Sequence, residues 1–434
     1  MIPGRPACQQ NTSTDPAVIP LSRNLNYKLL WVSQALSQFG GNAAGIAFPL
    51  LVLAITNSPA MVGLVLGTGA AASLIVGLPA GALVDRWDRK KVMLGCVAVD
   101  VIATASLITA LWLGAAGVVH LIVVAAVWGM CAAMFGSAEG ACLPALVSND
   151  QLPTAVSLNA GRGDLAHLLG TAVGGFLFAI GKFVPFLMDA LTRVVGFFTL
   201  LFVRVPARDV RPEPISRLGR EIVVGIRWVS QHRSLRVIGL LAVGLNMFLA
   251  AYFVIIIVLA HARGVPSGEI GVMVALMGIG GIIGSLVAPY LFRRLTPYFC
   301  IIAVFWVVTL LTPITIFMRN GYLMGMLFAV IAFVAPTANT TVDTYLLVLT
   351  PDELRGRIGS VMGIFIGSAA VAGPALGGFL MEMVPGNQAV LLCAGGVGMV
   401  TVLGTISSTL RNFPRHTAAT EPDGAFRHKQ QIGG

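Results

Sequence analysis

Charged residues are scarce in this chain. Asp, Glu, Lys and Arg make up only 11% of its 434 residues, whereas soluble domains average about a quarter. The hydrophobic fraction is 56%, and the mean hydropathy is +0.87. This composition excludes an ordinary water-soluble domain and predicts a protein that crosses the membrane many times.

The sequence marks of several other functional classes are also missing. No C-x-x-C pair occurs among the six cysteines, so neither a metal site nor a disulfide framework is expected. A nucleotide-binding G-x-x-x-x-G-K-[ST] loop and the enzyme motifs H-E-x-x-H and G-x-S-x-G do not occur. We therefore expect no cofactor and no enzymatic activity. Residues 1–24 lack the apolar stretch of a signal peptide, and we expect them to be a disordered tail.

Long apolar runs occupy most of the chain. A helix needs roughly 20 apolar residues to cross a bilayer, and twelve runs reach that length. We therefore predict an all-α membrane protein with twelve transmembrane helices. The runs are 27–54, 61–84, 92–113, 119–143, 154–181, 183–205, 235–261, 268–292, 299–318, 321–349, 357–384 and 388–411.

Basic residues are unevenly divided between the two sides of these spans. If the N-terminus is inside, 24 of the 28 Lys and Arg residues fall in inner segments, and only Lys182, Arg263 and Arg319 fall in outer loops. Arg193 remains within a span. Because Lys and Arg accumulate on the cytoplasmic side, we predict a multi-pass protein of the cell membrane with both termini in the cytoplasm. The net charge of +10 is thus a topology signal, and we expect no nucleic-acid partner.

The two halves of the chain repeat one another. Asp150-Gln151-Leu152 and Asp352-Glu353-Leu354 precede the fifth and eleventh spans, 202 residues apart. The glycine-rich stretches that begin at Gly170 and Gly373 are 203 residues apart. Chance similarity of apolar segments is the alternative, but two landmarks in register favour duplication. The predicted divisions are a tail 1–24, a six-helix bundle 25–205, a linker 206–234 with an amphipathic helix, a second six-helix bundle 235–411 and a disordered cytoplasmic tail 412–434.

A charged loop joins the second and third spans. It reads Gly81-x-Leu83-x-Asp85-Arg86-x-x-Arg89-Lys90. This order resembles the signature loop of the major facilitator superfamily. The Arg-Trp-Asp-Arg run resembles the macrolide-efflux and enterobactin-exporter-like branch of its drug:proton antiporters. The resemblance implies two pseudo-symmetric six-helix bundles that work by alternating access. Two departures count against proton antiport: Gly41-Asn42 replaces an Asp common in the branch, and Thr171 replaces the Pro of the antiporter signature.

The resemblance also implies a set of gating residues near this loop. Asp85 would dock on the N-terminus of the eleventh span, where unpaired N–H groups favour an anion. Arg89 would bridge Asp85 to Glu139. A solvated loop that only sets topology is the alternative. The predicted gating residues are Gly81, Asp85, Arg86, Arg89, Glu139 and Arg355.

Ionisable residues inside membrane spans are costly and therefore candidates for function. Asp164 and His167 share a helix face, and they could carry a proton or form a packed polar pair. We predict a structural ion pair among Asp100, Asp189 and Arg193. The candidates for proton coupling are Glu139, Asp164, His167 and Asp343.

The central cavity of the superfamily is lined by the first, fourth, seventh and tenth spans. In this chain those spans offer few hydrogen-bonding groups among aromatic and Met side chains, which suits a bulky, largely apolar ligand. The candidate cavity residues are Gln34, Gln38, Asn42, Trp128, Met134, Asn246, Tyr252 and Asn339.

The function predicted from these features is secondary active transport. We expect proton-coupled efflux of a hydrophobic or amphiphilic small molecule, such as a drug, antibiotic or natural product, by a monomer in the lipid bilayer. One alternative is a siderophore or lipid-like exporter without proton coupling. Another is a membrane sensor or assembly factor that uses the same bundle without transport.

Overall fold

A computed structural model describes residues 20, 21, 23–84, 86–204, 226–349 and 355–411. Twelve helices in these residues are long and apolar enough to cross a membrane, which confirms the predicted number. They are α1 Leu25–Thr56, α2 Pro59–Val84, α3 Arg89–Trp112, α4 Val118–Leu146, α5 Leu152–Ile180, α6 Val184–Phe202, α7 Arg233–Ala262, α8 Ser267–Arg294, α9 Pro297–Leu311, α10 Gly321–Leu349, α11 Arg355–Met383 and α12 Gly386–Ile406. A 3-10 turn, Thr312–Phe317, follows α9 and completes the ninth span, Pro297–Phe317. A short helix α13, Ser408–Arg411, follows α12.

The predicted spans and the observed helices agree to within a few residues. Local capping explains where two of the helices stop or start. Asn57 ends α1 in the left-handed conformation, with φ of 50°, which Asn tolerates better than most residues. Asp88 begins α3 by accepting hydrogen bonds from the backbone N–H groups of Lys90 (2.9 Å) and Lys91 (3.2 Å). Asp88 is therefore the N-cap of α3.

The helices form two bundles of six. In the first bundle α1 packs on α5 and α6, α2 on α4, and α3 on α4 and α6. In the second bundle α7 packs on α11 and α12, α8 on α10, and α9 on α10 and α12. The main contacts between bundles are α2 with α11 and α5 with α8. These four helices form the seam between the two bundles.

The two ends of the molecule differ in charge. We call the end where α1 begins and α2 ends the basic end, and the opposite end the closed end. At the basic end the side chain of Asn24 donates to the carbonyl of Leu146 (2.7 Å), and the ammonium of Lys90 donates to the carbonyl of Leu201 (2.7 Å). These bonds tie the ends of α1, α3, α4 and α6 together.

Candidate functional site

Glycines bring the two bundles into backbone contact at the closed end. A Cβ at Gly378 would lie 2.5 Å from the carbonyl oxygen of Pro59, and one at Gly175 would lie 2.5 Å from that of Ser267. A Cβ at Gly271 would lie 2.8 Å from the carbonyl oxygen of Thr171. No larger side chain fits these positions without a shift of backbone, so small residues set the close approach of α2 to α11 and of α5 to α8.

A carboxylate joins the bundles at the same end. Glu382, in the last turn of α11, accepts a hydrogen bond from the hydroxyl of Ser58 (2.9 Å) and one from the backbone N–H of Ala60 (3.3 Å). Both donors belong to the start of α2, where the helix dipole also favours a negative charge. The contact crosses between bundles, so it must break if the closed end opens.

Contact between the bundles is lost toward the basic end. Near the middle of the helices, Gly367 of α11 contacts Leu74 of α2, and Gly278 of α8 contacts His167 of α5. Further toward the basic end, a Cβ at Gly81, Gly281 or Gly363 would meet no described atom within 4 Å. Among the described residues, the two bundles are therefore in close contact along the seam at the closed end, whereas these three glycines toward the basic end meet no neighbour.

A polar cavity of about 380 Å³ lies within the first bundle. It is bounded by α1, α3, α4 and α6. Gln34, Gln38 and Asn42 line it from α1, at the spacing of one helix face. Trp128 and Glu139 line it from α4. The structure thus places these five predicted residues around one cavity.

A buried charge cluster forms one wall of this first cavity. Arg193 donates from Nε to both oxygens of Asp189 (2.8 and 2.9 Å) and from Nη1 to Oδ2 of Asp100 (2.7 Å). Asp189 is fully buried and Asp100 is 6% exposed. The indole of Trp128 donates to the hydroxyl of Thr104 (3.2 Å), which donates to Asp189 (3.5 Å). The predicted pair is thus a triad that joins α3 to α6.

A second ion pair lies closer to the basic end. Arg162 on α5 donates from Nη2 to Glu139 on α4 (2.9 Å) and from Nε to the side-chain oxygen of Gln38 on α1 (3.3 Å). Arg162 is only 5% exposed. The Arg89 guanidinium, predicted to reach Glu139, donates to the carbonyl oxygen of Ala141 (2.7 Å). Glu139 therefore joins α4 to α5 through Arg162.

A larger and more apolar cavity, of about 460 Å³, lies against the second bundle. Its walls come from α5, α7, α8, α9 and α10. Asp164 and His167 reach it from α5, and Asn339 reaches it from α10. Most of its lining is apolar and includes Leu249, Phe253, Met277, Phe328 and Ile331. Asp164 has no ion-pair partner among the described residues. The cavity thus combines an apolar wall with one carboxylate and one imidazole.

Three predicted cavity residues lie elsewhere. Met134 faces a groove beside Trp87 and Lys91, because it lies off the α4 face that carries Trp128 and Glu139. Tyr252 is buried, with its ring 5.3 Å from that of Phe328, and it is the neighbouring Phe253 that lines the second cavity. The Asn246 side chain donates to the carbonyl of Ala242 in its own helix (2.9 Å) and is not among the residues that line either cavity.

Some predicted residues cannot be placed. Asp85 lies outside the described residues, and so do the side chains of Asp343 and Arg355. The tails 1–19 and 412–434 and the linker residues 205–225 lie outside them as well. In the part of the chain that the structure describes, no three His, Cys, Asp or Glu side chains converge as they would around a metal ion.

Sequence reasoning missed two polar residues of this site. Arg162 is one of the 24 inner basic residues, but it follows the start of α5 by ten residues and so lies well inside the span. Glu382 lies near the end of a predicted span, where a charged residue is expected. A clearer signal was available for Arg162, since a basic residue at that depth calls for a carboxylate partner.

The fold, two bundles of six membrane-spanning helices, and the family match define a transporter of the major facilitator superfamily. Residues 16–430 match the profile of a family described as transmembrane secretion effector, and the chain belongs to this family. Among similar proteins, the enterobactin exporter EntS of Shigella boydii serotype 18 is 25% identical over 391 residues, which cover 87% of this chain and 89% of the exporter.

Solved structures show the same fold. A mutant of the nucleoside transporter NupG superposes with a TM-score of 0.75 at 10% identity, covering 88% of this chain and 99% of that protein. A bacterial homologue of the iron transporter ferroportin, in its inward-facing state, superposes with a TM-score of 0.64 at 18% identity, covering 88% of this chain and 98% of that protein. The predicted family and fold class are confirmed.

Proposed function

We propose that this transporter exports a hydrophobic or amphiphilic small molecule by alternating access, driven by protons. The second cavity carries the proposal. Its apolar lining, which includes Phe253, Met277 and Phe328, suits an apolar ligand body, while Asp164 and His167 supply a few polar contacts. Its volume of about 460 Å³ is within the roughly 300–1,000 Å³ of small-molecule sites.

The direction of transport follows from which end faces the cytoplasm. We propose that the basic end does, because Lys and Arg are concentrated there. Both tails and the 206–234 linker are then cytoplasmic, and the structure is open inward. The cavities in this form receive substrate from the cytoplasm. Closure of the basic end and opening of the closed end would release it outside.

The moving parts are the two bundles, 25–205 and 235–411. Their seam is made of glycine faces, which let two helices slide or part without interlocking side chains. In the described residues, the close contacts between bundles are concentrated toward the closed end, so a rocking motion needs to break only the few contacts at that end. We propose that a single chain is sufficient, since both cavities are formed within one copy.

Transport into inverted membrane vesicles tests this function. Vesicles from cells with and without the protein are given a panel of amphiphilic dyes, antibiotics and enterobactin. We expect at least one apolar compound to accumulate only with the protein, and accumulation to stop when the proton gradient is collapsed. Accumulation that continues after the proton gradient is collapsed would exclude proton coupling. No accumulation of any compound would favour a sensor or assembly factor.

A second candidate function is siderophore export without proton coupling. Similarity to proteins named enterobactin exporter favours it. In the same vesicles, enterobactin would then accumulate while the apolar dyes would not. The polar first cavity would in that case be expected to contact substrate, so Gln34→Ala would impair enterobactin transport more than Phe253→Ala would.

A further inference from the structure

The charges around the first cavity do not balance. Glu139 and Arg162 form a neutral pair at 2.9 Å. The triad, in contrast, holds two carboxylates, Asp100 and Asp189, around the single guanidinium of Arg193. If every group is ionised, the triad carries one uncompensated negative charge at the middle of the bundle. Such a charge is strongly unfavourable in a low-dielectric interior.

The two carboxylates of the triad are not equivalent. Asp189 is fully buried, and both of its oxygens accept hydrogen bonds from Arg193, with Thr104 as a further donor. Asp100 accepts one hydrogen bond from Arg193, at Oδ2, and the Cys131 thiol faces it from α4. Its other oxygen, Oδ1, is buried and has no hydrogen-bond partner among the described residues. Asp100 also lines the first cavity, whereas Asp189 does not.

The groups that face Asp100 leave its negative charge only partly compensated. From α6 come Asp189 and Arg193, and from α4 come the Cys131 thiol and, along the cavity wall, Glu139. The Cys96 thiol of α3 lies close by. The face of α1 that lines this cavity contributes the uncharged Gln34, Ser37, Gln38 and Asn42. Among the described residues that line this cavity, Arg193 is the one cation, and it is shared with Asp189.

We propose that Asp100 is the proton-binding residue of this transporter. One proton from the cavity adds to the free Oδ1 oxygen and converts the carboxylate to a carboxylic acid, so that the triad passes from a net charge of −1 to neutral. Release of the proton restores the carboxylate. This assignment rests on the proposed proton coupling. Asp100 takes the place of the four candidates from the sequence, Glu139, Asp164, His167 and Asp343.

Protonation of Asp100 would loosen one side of the triad. The Nη1–Oδ2 bond at 2.7 Å joins α6 to α3, and it weakens when Asp100 becomes neutral, since charge-assisted hydrogen bonds are the strong ones. The Nη2 atom of Arg193 also lies against Gly41 of α1, because a Cβ there would be 3.2 Å away. Helix α1 in turn packs closely on the seam helix α5. The proton thus acts on helices that bound the cavity and support the seam.

Infrared difference spectroscopy of the purified full-length protein tests the assignment without substrate or transport. Spectra recorded across a pH titration should show the carbonyl stretch of a protonated carboxylic acid that disappears as the pH rises. We expect this band to be lost in Asp100→Asn, to move in Asp100→Glu, and to remain in Glu139→Gln and Asp164→Asn. Asp100→Glu keeps a carboxylic acid, so it also shows that the loss in Asp100→Asn is not caused by misfolding.

The proposal is overturned if wild type shows no such band, if the band survives Asp100→Asn, or if it vanishes in Glu139→Gln or Asp164→Asn. If the band is assigned to Asp100 but export does not depend on the proton gradient, Asp100 remains a proton-binding residue and the proposed proton coupling is refuted. In vesicles, the Asp100→Asn variant should let substrate equilibrate across the membrane but no longer concentrate it. If Asp100 had only a structural role, Asp100→Asn would lower the stability of the protein, and the accumulation that remained would still depend on the proton gradient.

Discussion

Removing the carboxylate of Glu382 should shift the balance between the two forms of the transporter. Its contacts with Ser58 and Ala60 exist only while the closed end is shut. The contacts are exposed, so each is discounted: an exposed charged pair is worth about 0.2–1 kcal/mol, and a charge at a helix N-terminus about 0.3–1 kcal/mol. Together they stabilise the form seen here by about 0.5–2 kcal/mol.

That free energy corresponds to a change in population that can be measured. Since about 1.4 kcal/mol is a factor of ten, Glu382→Ala should raise the fraction open at the closed end about tenfold. Glu382→Gln keeps an acceptor oxygen but loses the charge, so its effect should be about threefold. Glu269→Gln is the matched control, because Glu269 accepts from the backbone of Gly321 (3.3 Å) at the same end but within one bundle.

Distances between two spin labels across the closed end provide the assay. Ile180 and Phe317 belong to different bundles and are exposed, so each is replaced by Cys in a background without native cysteines. Pulsed electron paramagnetic resonance then gives the populations of the short and long distances. An unchanged population in Glu382→Ala, or an equal shift in Glu269→Gln, would refute the reasoning.

Three further changes follow from the same contacts. Gly378→Ala places a Cβ against backbone and should destabilise this form by about 1–3 kcal/mol, whereas Gly363→Ala on the same helix meets open space and should leave the label distances unchanged. Arg162→Ala leaves Glu139 without its cation and should lower the free energy of unfolding by about 3 kcal/mol. In thermal unfolding, adding Glu139→Gln to this variant should restore part of the lost stability, and no recovery would contradict the pairing. Phe253→Ala removes apolar contact with substrate and should raise the half-saturating concentration in vesicles about tenfold, while an unchanged value would exclude Phe253 from the binding site.

The fold could be predicted from the sequence because its signals are local. Twelve apolar runs of sufficient length, and the placement of Lys and Arg between them, do not depend on how the helices pack. The α3 cap also lies within one short segment, since Asp88 bonds to the next helical turn. The meeting of Asp100 with Arg193 was predictable as well, because buried charges at similar depth seek one another.

The rotation of each helix could not be read from the sequence. A membrane helix is apolar toward lipid and toward its neighbours alike, so periodicity does not mark the cavity face. One residue turns the face by 100°, which is why Tyr252 was predicted where Phe253 lies. The bridge from Glu382 to Ser58 joins positions 324 residues apart, and only the packing of α2 on α11 brings them together.

Reconstitution of the purified protein in liposomes tests the central claim most directly. With the lumen more acidic than the medium, protons leave down their gradient, and an exporter that exchanges protons for substrate must concentrate substrate inside. We predict accumulation of an apolar substrate under this gradient and none when the two sides have equal pH. Equal uptake with and without the gradient, in liposomes shown to bind the substrate, would contradict proton-driven export.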